Sequence, residues 1–119
     1  MPEFVNPFSG IVPRKMTLSE LTRAIRLDLS AEQEAVHLYE AHAEATDNEL
    51  AKKVLFDIAE EERVHAGEFQ RLLNILIEDE EKFLAQGAEE VNEMAENTNN
   101  SEEQSYPDIL SVGNIKKSN

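Results

Sequence analysis

The stretch "AEATDNELAKK", residues 43–53, separates two long patterns of apolar residues. Its centre, Thr46-Asp47-Asn48, is typical of a turn, and these side chains can also cap a following helix. On both sides of it, apolar residues recur at steps of three and four, which is the spacing of one face of an α-helix. The sequence therefore predicts two helices that fold back on each other at this turn.

The upstream helix is expected to begin near Thr17, because Thr17-Leu18-Ser19-Glu20 has the form of a capping box. It should run to about Ala45. Its apolar face is formed by Leu18, Leu21, Ile25, Leu29, Val36, Tyr39 and Ala43. The member missing between Leu29 and Val36 is an acid, Glu32.

The downstream helix shows the same kind of interruption. Its apolar face is expected to contain Leu50, Val54, Ile58, Phe69, Leu72 or Leu73, and Leu76. Between Ile58 and Phe69, the face that should be dry carries Glu62 and His65. Glu32 lies fifteen residues before Asp47 and Glu62 lies fifteen after it. In an antiparallel hairpin both carboxylates would therefore lie at the same height, roughly 22 Å from the turn.

Titratable groups on apolar faces have ordinary explanations when they occur singly. A single Glu is usually an edge residue that reaches water, and a single His is usually a satisfied core residue. Three such groups at one height are harder to explain, because a buried and unpaired carboxylate costs several kcal/mol. Neither apolar face offers a Lys or Arg between Leu29 and Phe69. Shared protons or a bound cation would resolve the conflict, and two carboxylates with an imidazole suit Fe, Mn or Zn.

The small size of the chain predicts that this site is shared. A two-helix hairpin cannot bury both apolar faces by itself, so it should pack on another copy. Glu-x-x-His on one helix with a facing Glu is half of the ligand set of a di-iron carboxylate bundle. The simplest arrangement is a four-helix bundle across a two-fold axis, in which Glu32, Glu62 and His65 of both copies converge.

Composition excludes several classes of function. The 119 residues carry a formal net charge of −14, from 25 acids and 11 bases, which argues against nucleic acid and suits a protein that attracts cations. There is no cysteine, so disulfides, thiolate metal sites and thiol catalysis are excluded. The first fifteen residues lack the features of a signal peptide, and no stretch has the length and apolarity of a membrane span.

Along the whole chain, the sequence predicts four segments with different roles. Residues 1–16 contain three prolines and are expected to form an extended arm. Residues 17–97 form the helical unit, with a break at Gly87 and a short third helix after it. Residues 98–107 are polar and predict a flexible linker. Apolar residues return in 108–119, which suits an extended peptide that docks in an apolar groove.

Two stretches resemble one known family. The core "SAEQEAVHLYEAHAEATDNELAKKVLFDIAEEERVHAGEF", residues 30–69, resembles encapsulated ferritins, the ferritin-like cargo of encapsulin nanocompartments. The tail "LSVGNIKK", residues 110–117, is similar to the peptide by which such cargo docks inside the shell. The resemblance implies an all-α fold, in which a two-helix hairpin dimerises into a ferritin-like four-helix bundle. It also implies a homodecamer held inside a cytoplasmic encapsulin nanocompartment.

The activity that the resemblance implies is that of a ferroxidase, which oxidises Fe²⁺ to Fe³⁺ with O₂ at a di-iron site between two subunits and delivers the iron for storage in the shell. By the family pattern, Glu32, Glu62 and His65 match the iron ligands. Tyr39 matches a tyrosine close to the catalytic site, and Glu34 matches an acid of an outer iron-uptake site. Mn or Zn could substitute for Fe.

The docking peptide and two rival functions complete the expectations. Shell contacts are expected from Leu110, Val112, Gly113 and Ile115. Ala31 stands where the family often has a further acid of the outer site. One rival is a rubrerythrin-like di-iron peroxidase, which would call for extra glutamates and a cysteine module. The other is a non-catalytic adaptor that keeps the hairpin and the tail but binds no metal.

Overall fold

The computed structural model describes residues 10–100 of the chain. Within that range the secondary structure is all helical, and consists of α1 (Leu18–Glu44), α2 (Glu49–Leu76) and α3 (Glu80–Asn100). None of these helices is long and apolar enough to cross a membrane. The chain divides into two compact units, Met1–Glu80 with the helices α1 and α2, and Glu81–Asn119 with most of α3. The predicted docking peptide, residues 108–119, and most of the predicted arm and linker lie outside the described residues.

The start of α1 confirms the predicted capping box. The Glu20 amide donates to Thr17 Oγ1 over 3.2 Å, and the Thr17 amide donates to Glu20 Oε1 over 2.9 Å. Arg14 also donates to both oxygens of Glu20 at 2.7 Å. The Arg14 guanidinium, with help from the Thr17 amide, lowers the pKa of Glu20 to about 2. The residues just before α1 are therefore attached to its first turn.

The turn at residues 45–48 also matches the prediction. Asn48 Oδ1 accepts the Ala51 amide over 2.9 Å, so Asn48 caps α2. Lys52 reaches back from α2, and its Nζ donates to the carbonyls of Ala43 at 3.1 Å and Thr46 at 3.2 Å. These carbonyls belong to the end of α1 and to the turn itself. Lys52 thus attaches the first turn of α2 to the end of α1 and to the turn between them.

The two helices meet along a seam with a regular alternation of four-residue and three-residue steps. On α1 the seam is formed by Thr22, Ile25, Leu29, Glu32, Val36, Tyr39 and Ala43, whereas Leu18 of the predicted apolar face is 58% exposed and lies outside it. On α2 it is formed by Leu55, Ala59, Glu62, Ala66, Phe69, Leu73 and Leu76. Ile25, Ala43, Ala59, Ala66 and Leu73 are the buried hydrophobic residues among those that the structure describes. Each helix therefore carries one acid, at the middle of an otherwise mostly apolar seam.

The predicted apolar face of α2 was wrong in its first half. Leu50 is 71% exposed, Val54 46% and Ile58 36%, so none of them lies in the seam. Ala59 and Ala66 are buried in their place. Small side chains allow two helices to approach closely, and the prediction favoured the larger neighbours. Of the two alternatives for the next seam position, Leu72 and Leu73, the structure buries Leu73 fully.

The other end of the hairpin is held by a second arginine. Arg26 of α1 donates to both oxygens of Glu80, at 2.8 and 2.7 Å. Glu80 follows the turn after α2 and is the first residue of α3, so this contact ties the chain beyond α2 to α1. From Glu80, α3 continues through Gly87 to Asn100, so the predicted break at Gly87 was wrong, and residues 98–100 of the predicted linker are helical. A single glycine costs a helix only ~1 kcal/mol, which its helix-favouring neighbours can offset.

Candidate metal centre

The two seam acids face each other across the hairpin, as their equal distance from Asp47 predicted. Glu32 comes from α1 and Glu62 from α2, and His65 lies one turn along α2 from Glu62. One ligand atom from each of the three residues can be chosen so that all three atoms lie within 4.8 Å of one another. Among the described residues this is the group of acids and histidines that could hold a metal ion.

The imidazole of this cluster lies beside both carboxylates, which also neighbour each other. His65 Nδ1 lies 3.1 Å from Glu62 Oε1 and 3.7 Å from Glu32 Oε2. The two carboxylate side chains are only 19% and 18% exposed, for Glu32 and Glu62 respectively. His65 is the nitrogen-bearing side chain that the structure places beside both acids. With both acids ionised, one imidazole cannot neutralise two carboxylates.

Glu32 carries the clearest sign of an incomplete site. Its Oε2 atom is buried and accepts no hydrogen bond from the described residues. Burial raises the pKa of Glu32, and so does the neighbouring Glu62, while His65 acts in the opposite direction. A buried acceptor without a donor is costly. A cation at this position would satisfy the oxygen and the charge together.

His65 does not lie on the dry side of α2, as the sequence had suggested. Its side chain is 49% exposed, beside the seam rather than in it. It belongs to a row of residues that each precede a seam residue by one. The exposed large apolar members of this row are Val54, Ile58, Leu72 and Ile75 on α2 and Leu38 on α1, while Leu21 on α1 is half-buried.

These rows share one side of the hairpin. In two antiparallel helices, the residues that precede the seam residues by one point to the same side on both helices, because both helices are right-handed. We call this side the open face, defined by Leu38, Val54, Ile58, Leu72 and Ile75. His65 lies between Ile58 and Leu72 on it, so the cluster opens toward an exposed apolar surface. Sequence reasoning missed the open face because it assigned Val54 and Ile58 to the seam.

The remaining predicted site residues are not part of the cluster in one chain. Tyr39 is a half-buried seam residue, seven positions and therefore about 10 Å along α1 from Glu32. Glu34 is exposed on α1, as is Ala31. The predicted shell contacts, Leu110, Val112, Gly113 and Ile115, lie outside the described residues.

The donor set fits a transition metal of intermediate hardness. Two carboxylates and one imidazole suit Fe, Mn or Zn, and a single hairpin supplies only three ligands. The unsatisfied Oε2 of Glu32 is already directed at its neighbours in the cluster. Glu32, Glu62 and His65 would therefore hold the metal ion.

Comparisons with known proteins agree with this architecture. No family model matches the chain. The chain is 53% identical over 73 residues to the encapsulin nanocompartment cargo protein EncC of Myxococcus xanthus, which covers 61% of this chain and 55% of that one. It is 38% identical over 90 residues to a ferritin-like–encapsulin shell fusion protein of Pyrococcus furiosus, covering 76% of this chain and 26% of the relative. The chain thus spans about half the length of the Myxococcus relative and about a quarter of the length of the Pyrococcus relative.

A solved structure gives the more complete match. The crystal structure of the encapsulated ferritin domain from Pyrococcus furiosus aligns with a TM-score of 0.67 and 38% sequence identity, over 76% of this chain and 92% of that domain. A helical hairpin with one Glu-x-x-His motif and one facing Glu matches half of a ferritin-like bundle, and the aligned fold places the chain in the ferritin-like class. Within that class, the near-complete coverage of the solved domain decides the family. The chain belongs to the encapsulated ferritins.

Proposed function

We propose that this protein oxidises Fe²⁺ with O₂ as the cargo of an encapsulin shell. The observation that carries the proposal is the cluster of Glu32, Glu62 and His65, whose buried and unsatisfied Glu32 Oε2 calls for a cation. The family supports iron as that cation. The name of the Myxococcus relative and the shell fusion of the Pyrococcus relative support the cargo role.

The working site is shared by two copies of the chain. One hairpin offers one Glu-x-x-His motif and one facing Glu, and a di-iron bundle uses two of each. The open face supports this arrangement, because it exposes large aliphatic side chains on either side of His65. Covering these side chains would stabilise a pair by about 25 cal/mol for each Å² of apolar surface removed from water. A two-fold axis near His65 would then bring both clusters together.

The residues of the cluster have separate tasks in the reaction. Glu32 and Glu62 bind the Fe²⁺ substrates and offset their charge, while His65 supplies the nitrogen ligand. Two Fe²⁺ ions lose one electron each, and O₂ takes both electrons and two protons to become H₂O₂. Four Fe²⁺ ions and four protons would instead give two waters. Tyr39 lies on the same seam, about 10 Å along α1 from Glu32, and Glu34 is an exposed acid that could attract incoming Fe²⁺.

The assembly around this site follows from the same proposal. Residues 108–119 dock into an apolar groove of the shell protein, through Leu110, Val112, Gly113 and Ile115. The dimers that form the site assemble further into a decamer. Fe³⁺ leaves the cargo and is stored inside the shell. Deleting residues 108–119 should abolish co-purification with a shell protein, and unchanged co-purification would contradict the docking role.

One experiment tests the oxidation directly. Fe²⁺ is added to the purified oligomer in air, and ferric absorbance is followed for the wild type, Glu32→Gln and a protein-free control. We expect Glu32→Gln to fall to the protein-free rate. The matched control is Glu34→Gln, which makes the same charge change at an exposed position two residues away on α1. It should retain most of the activity, since Glu34 is not a ligand of the cluster.

Two outcomes would overturn the proposal. If the wild type itself matches the protein-free rate, the chain is a non-catalytic adaptor. If Glu32→Gln oxidises iron as fast as the wild type, the chemistry takes place elsewhere. Circular dichroism and the oligomer mass of each variant, measured at equal protein concentration, separate a lost ligand from a lost fold.

A further inference from the structure

The α2 seam changes in side-chain size on both sides of the cluster. Ala59 precedes Glu62 by three residues and Ala66 follows it by four, so each lies about one helical turn from Glu62 on the same face. Both alanines are buried. The next seam residues outward, Leu55 and Phe69, are large. The acid of α2 therefore lies between the two smallest side chains of its seam.

On α1, the seam residues at the same heights as these alanines are larger. Ala59 lies twelve residues after Asp47 and Val36 lies eleven before it, so both are at nearly the same distance from the turn. Ala66 lies nineteen residues after Asp47, and Leu29 lies eighteen before it. On each side of the facing acids, a small side chain of α2 is thus level with a larger one of α1.

Farther from the cluster, the level positions are large on both helices. Leu55 and Tyr39 each lie eight residues from Asp47, and Phe69 and Ile25 each lie 22 residues from it. The distance between two packed helices depends on the side chains at their contact. We therefore expect α1 and α2 to approach more closely beside the two alanines than beside Leu55 and Phe69.

Packing alone does not account for alanine at these two positions. Larger aliphatic side chains would remove more apolar surface from water, and few hydrophobic residues are buried in the part of the chain that the structure describes. A third buried alanine, Ala43, lies near the turn, where a short connection already brings the helices together. Ala59 and Ala66 have no turn beside them, and what lies between them is the acid of the cluster.

We propose that Ala59 and Ala66 are positioning residues for the metal centre. Their small size sets the distance between α1 and α2, and thereby the distance between the carboxylates of Glu32 and Glu62. The inference rests on the proposed function for the metal that these ligands bind. The three ligand atoms lie within 4.8 Å of one another, and ligands have to be held within about 0.5 Å of their working geometry. Adding methyl groups to a packed seam forces the backbone to shift, so a larger side chain at either position should move Glu62 and His65 away from Glu32.

Binding of Co²⁺ tests this spacing without relying on iron oxidation. We expect Ala59→Val and Ala66→Val, each made alone in the full-length chain, to lower Co²⁺ affinity roughly tenfold or more, which is the effect of groups that orient metal ligands. The visible absorption of bound Co²⁺ depends on its ligand geometry and should change as well. Ala66→Ser adds only one atom and should recover most of the affinity that is lost in Ala66→Val.

The matched control is Ala43→Val, which makes the same change in the hairpin seam but away from the cluster. Ala43 is fully buried and lies eleven residues, and therefore roughly 16 Å, along α1 from Glu32. The added methyl groups should lower the Tm of the metal-free protein there, as they do at positions 59 and 66. The Co²⁺ affinity of Ala43→Val should remain that of the wild type. A general loss of stability is thereby separated from a change in ligand spacing.

Wild-type Co²⁺ affinity and absorption in both Ala59→Val and Ala66→Val would overturn the proposal, and so would an equal loss of affinity in Ala43→Val. Unfolding of both variants by circular dichroism would also overturn it, because a wider spacing should leave the helices formed. If the wild type oxidises iron but the alanines do not affect Co²⁺ binding, the spacing is rejected and the proposed function stands. If the expected Co²⁺ changes occur in a chain that does not oxidise iron, the spacing stands and the proposed function is rejected.

Discussion

The acids at the open end of the hairpin, opposite the turn, and the acids at its midpoint have different partners. Glu20 and Glu80 each receive two hydrogen bonds from an arginine, at 2.7 to 2.8 Å, and both have lowered pKa values. Glu32 faces another carboxylate and a half-exposed imidazole, and its pKa is raised. The chain therefore supplies a guanidinium where an acid holds the structure. At the midpoint, Glu32 Oε2 has no such donor among the described residues.

The largest effect should come from placing a basic side chain beside the acid at the midpoint, as the acids at the open end already have. Glu62→Lys places an ammonium group beside Glu32 and removes one ligand, so the cluster no longer needs a cation. Metal affinity should fall by roughly 100-fold or more, since even the groups behind metal ligands are worth about 10- to 100-fold. Titration with Co²⁺ or anaerobic Fe²⁺ measures the affinity. Glu60→Lys, at an exposed position two residues away, is the matched control and should bind metal as the wild type does.

A second test leaves all three ligands in place and removes only the partner copy. Ile58→Glu puts a charge on the open face, next to His65 along α2. The pair should dissociate, and iron oxidation should fall with it, because one hairpin holds half of the ligand set. Phe56→Glu is the control, since Phe56 is as exposed as Ile58, at 42% against 36%, but lies away from the open face. Full activity in an Ile58→Glu monomer would show that one chain suffices.

A third test predicts a stabilising mutation at the heart of the site. Because the pKa of Glu32 is raised above 4.5 in the folded chain, ionising it costs folding free energy, and metal-free stability falls as pH rises above that value. Glu32→Gln removes this charge. It should raise the Tm of the metal-free protein at pH 7, with little change at pH 4, in thermal scans with EDTA at fixed protein concentration. A lowered Tm at pH 7 would mean that the carboxylate stabilises the apo fold.

The smallest effect is expected at Glu20, and it has the opposite sign. Since the folded-state pKa of Glu20 is lowered from 4.5 to about 2, its ionised form stabilises the fold above pH 4.5, and this contribution is lost as pH falls toward 2. Glu20→Gln keeps a residue that a capping box accepts. The Tm should therefore drop slightly at pH 7, because Glu20 is paired at the surface. The difference from the wild type should disappear near pH 2.

The sequence predicted the position of the cluster along the hairpin better than the side of the hairpin toward which His65 points. The turn at Asn48 and the capping box at Thr17 are local signals, and the structure confirms both. Counting from the turn then placed Glu32 opposite Glu62, because the rise of a helix is constant. His65 was expected to be buried with them. The direction in which it points depends on which row of α2 meets α1, and two adjacent rows had similar spacing.

That choice between rows was decided by small residues. Ala59 and Ala66 carry little hydrophobicity, so a reading by apolar size favoured Val54 and Ile58. The structure buries the alanines and exposes the larger residues. Exposing Val54 and Ile58 is unfavourable in a single chain, so their exposure could be anticipated only by considering a partner that covers them.

The predicted break at Gly87 failed for a different reason. The free-energy penalty of one glycine was too small to end α3.

The most direct test of the proposed shared cation is to locate it. Crystals of the oligomer grown or soaked anaerobically with Fe²⁺ would give anomalous difference maps at the iron absorption edge. The account predicts iron peaks between Glu32, Glu62 and His65, each within bonding distance of ligands from two copies of the chain. Iron bound only elsewhere, or bound to these three residues of a single chain with no partner ligand, would contradict it.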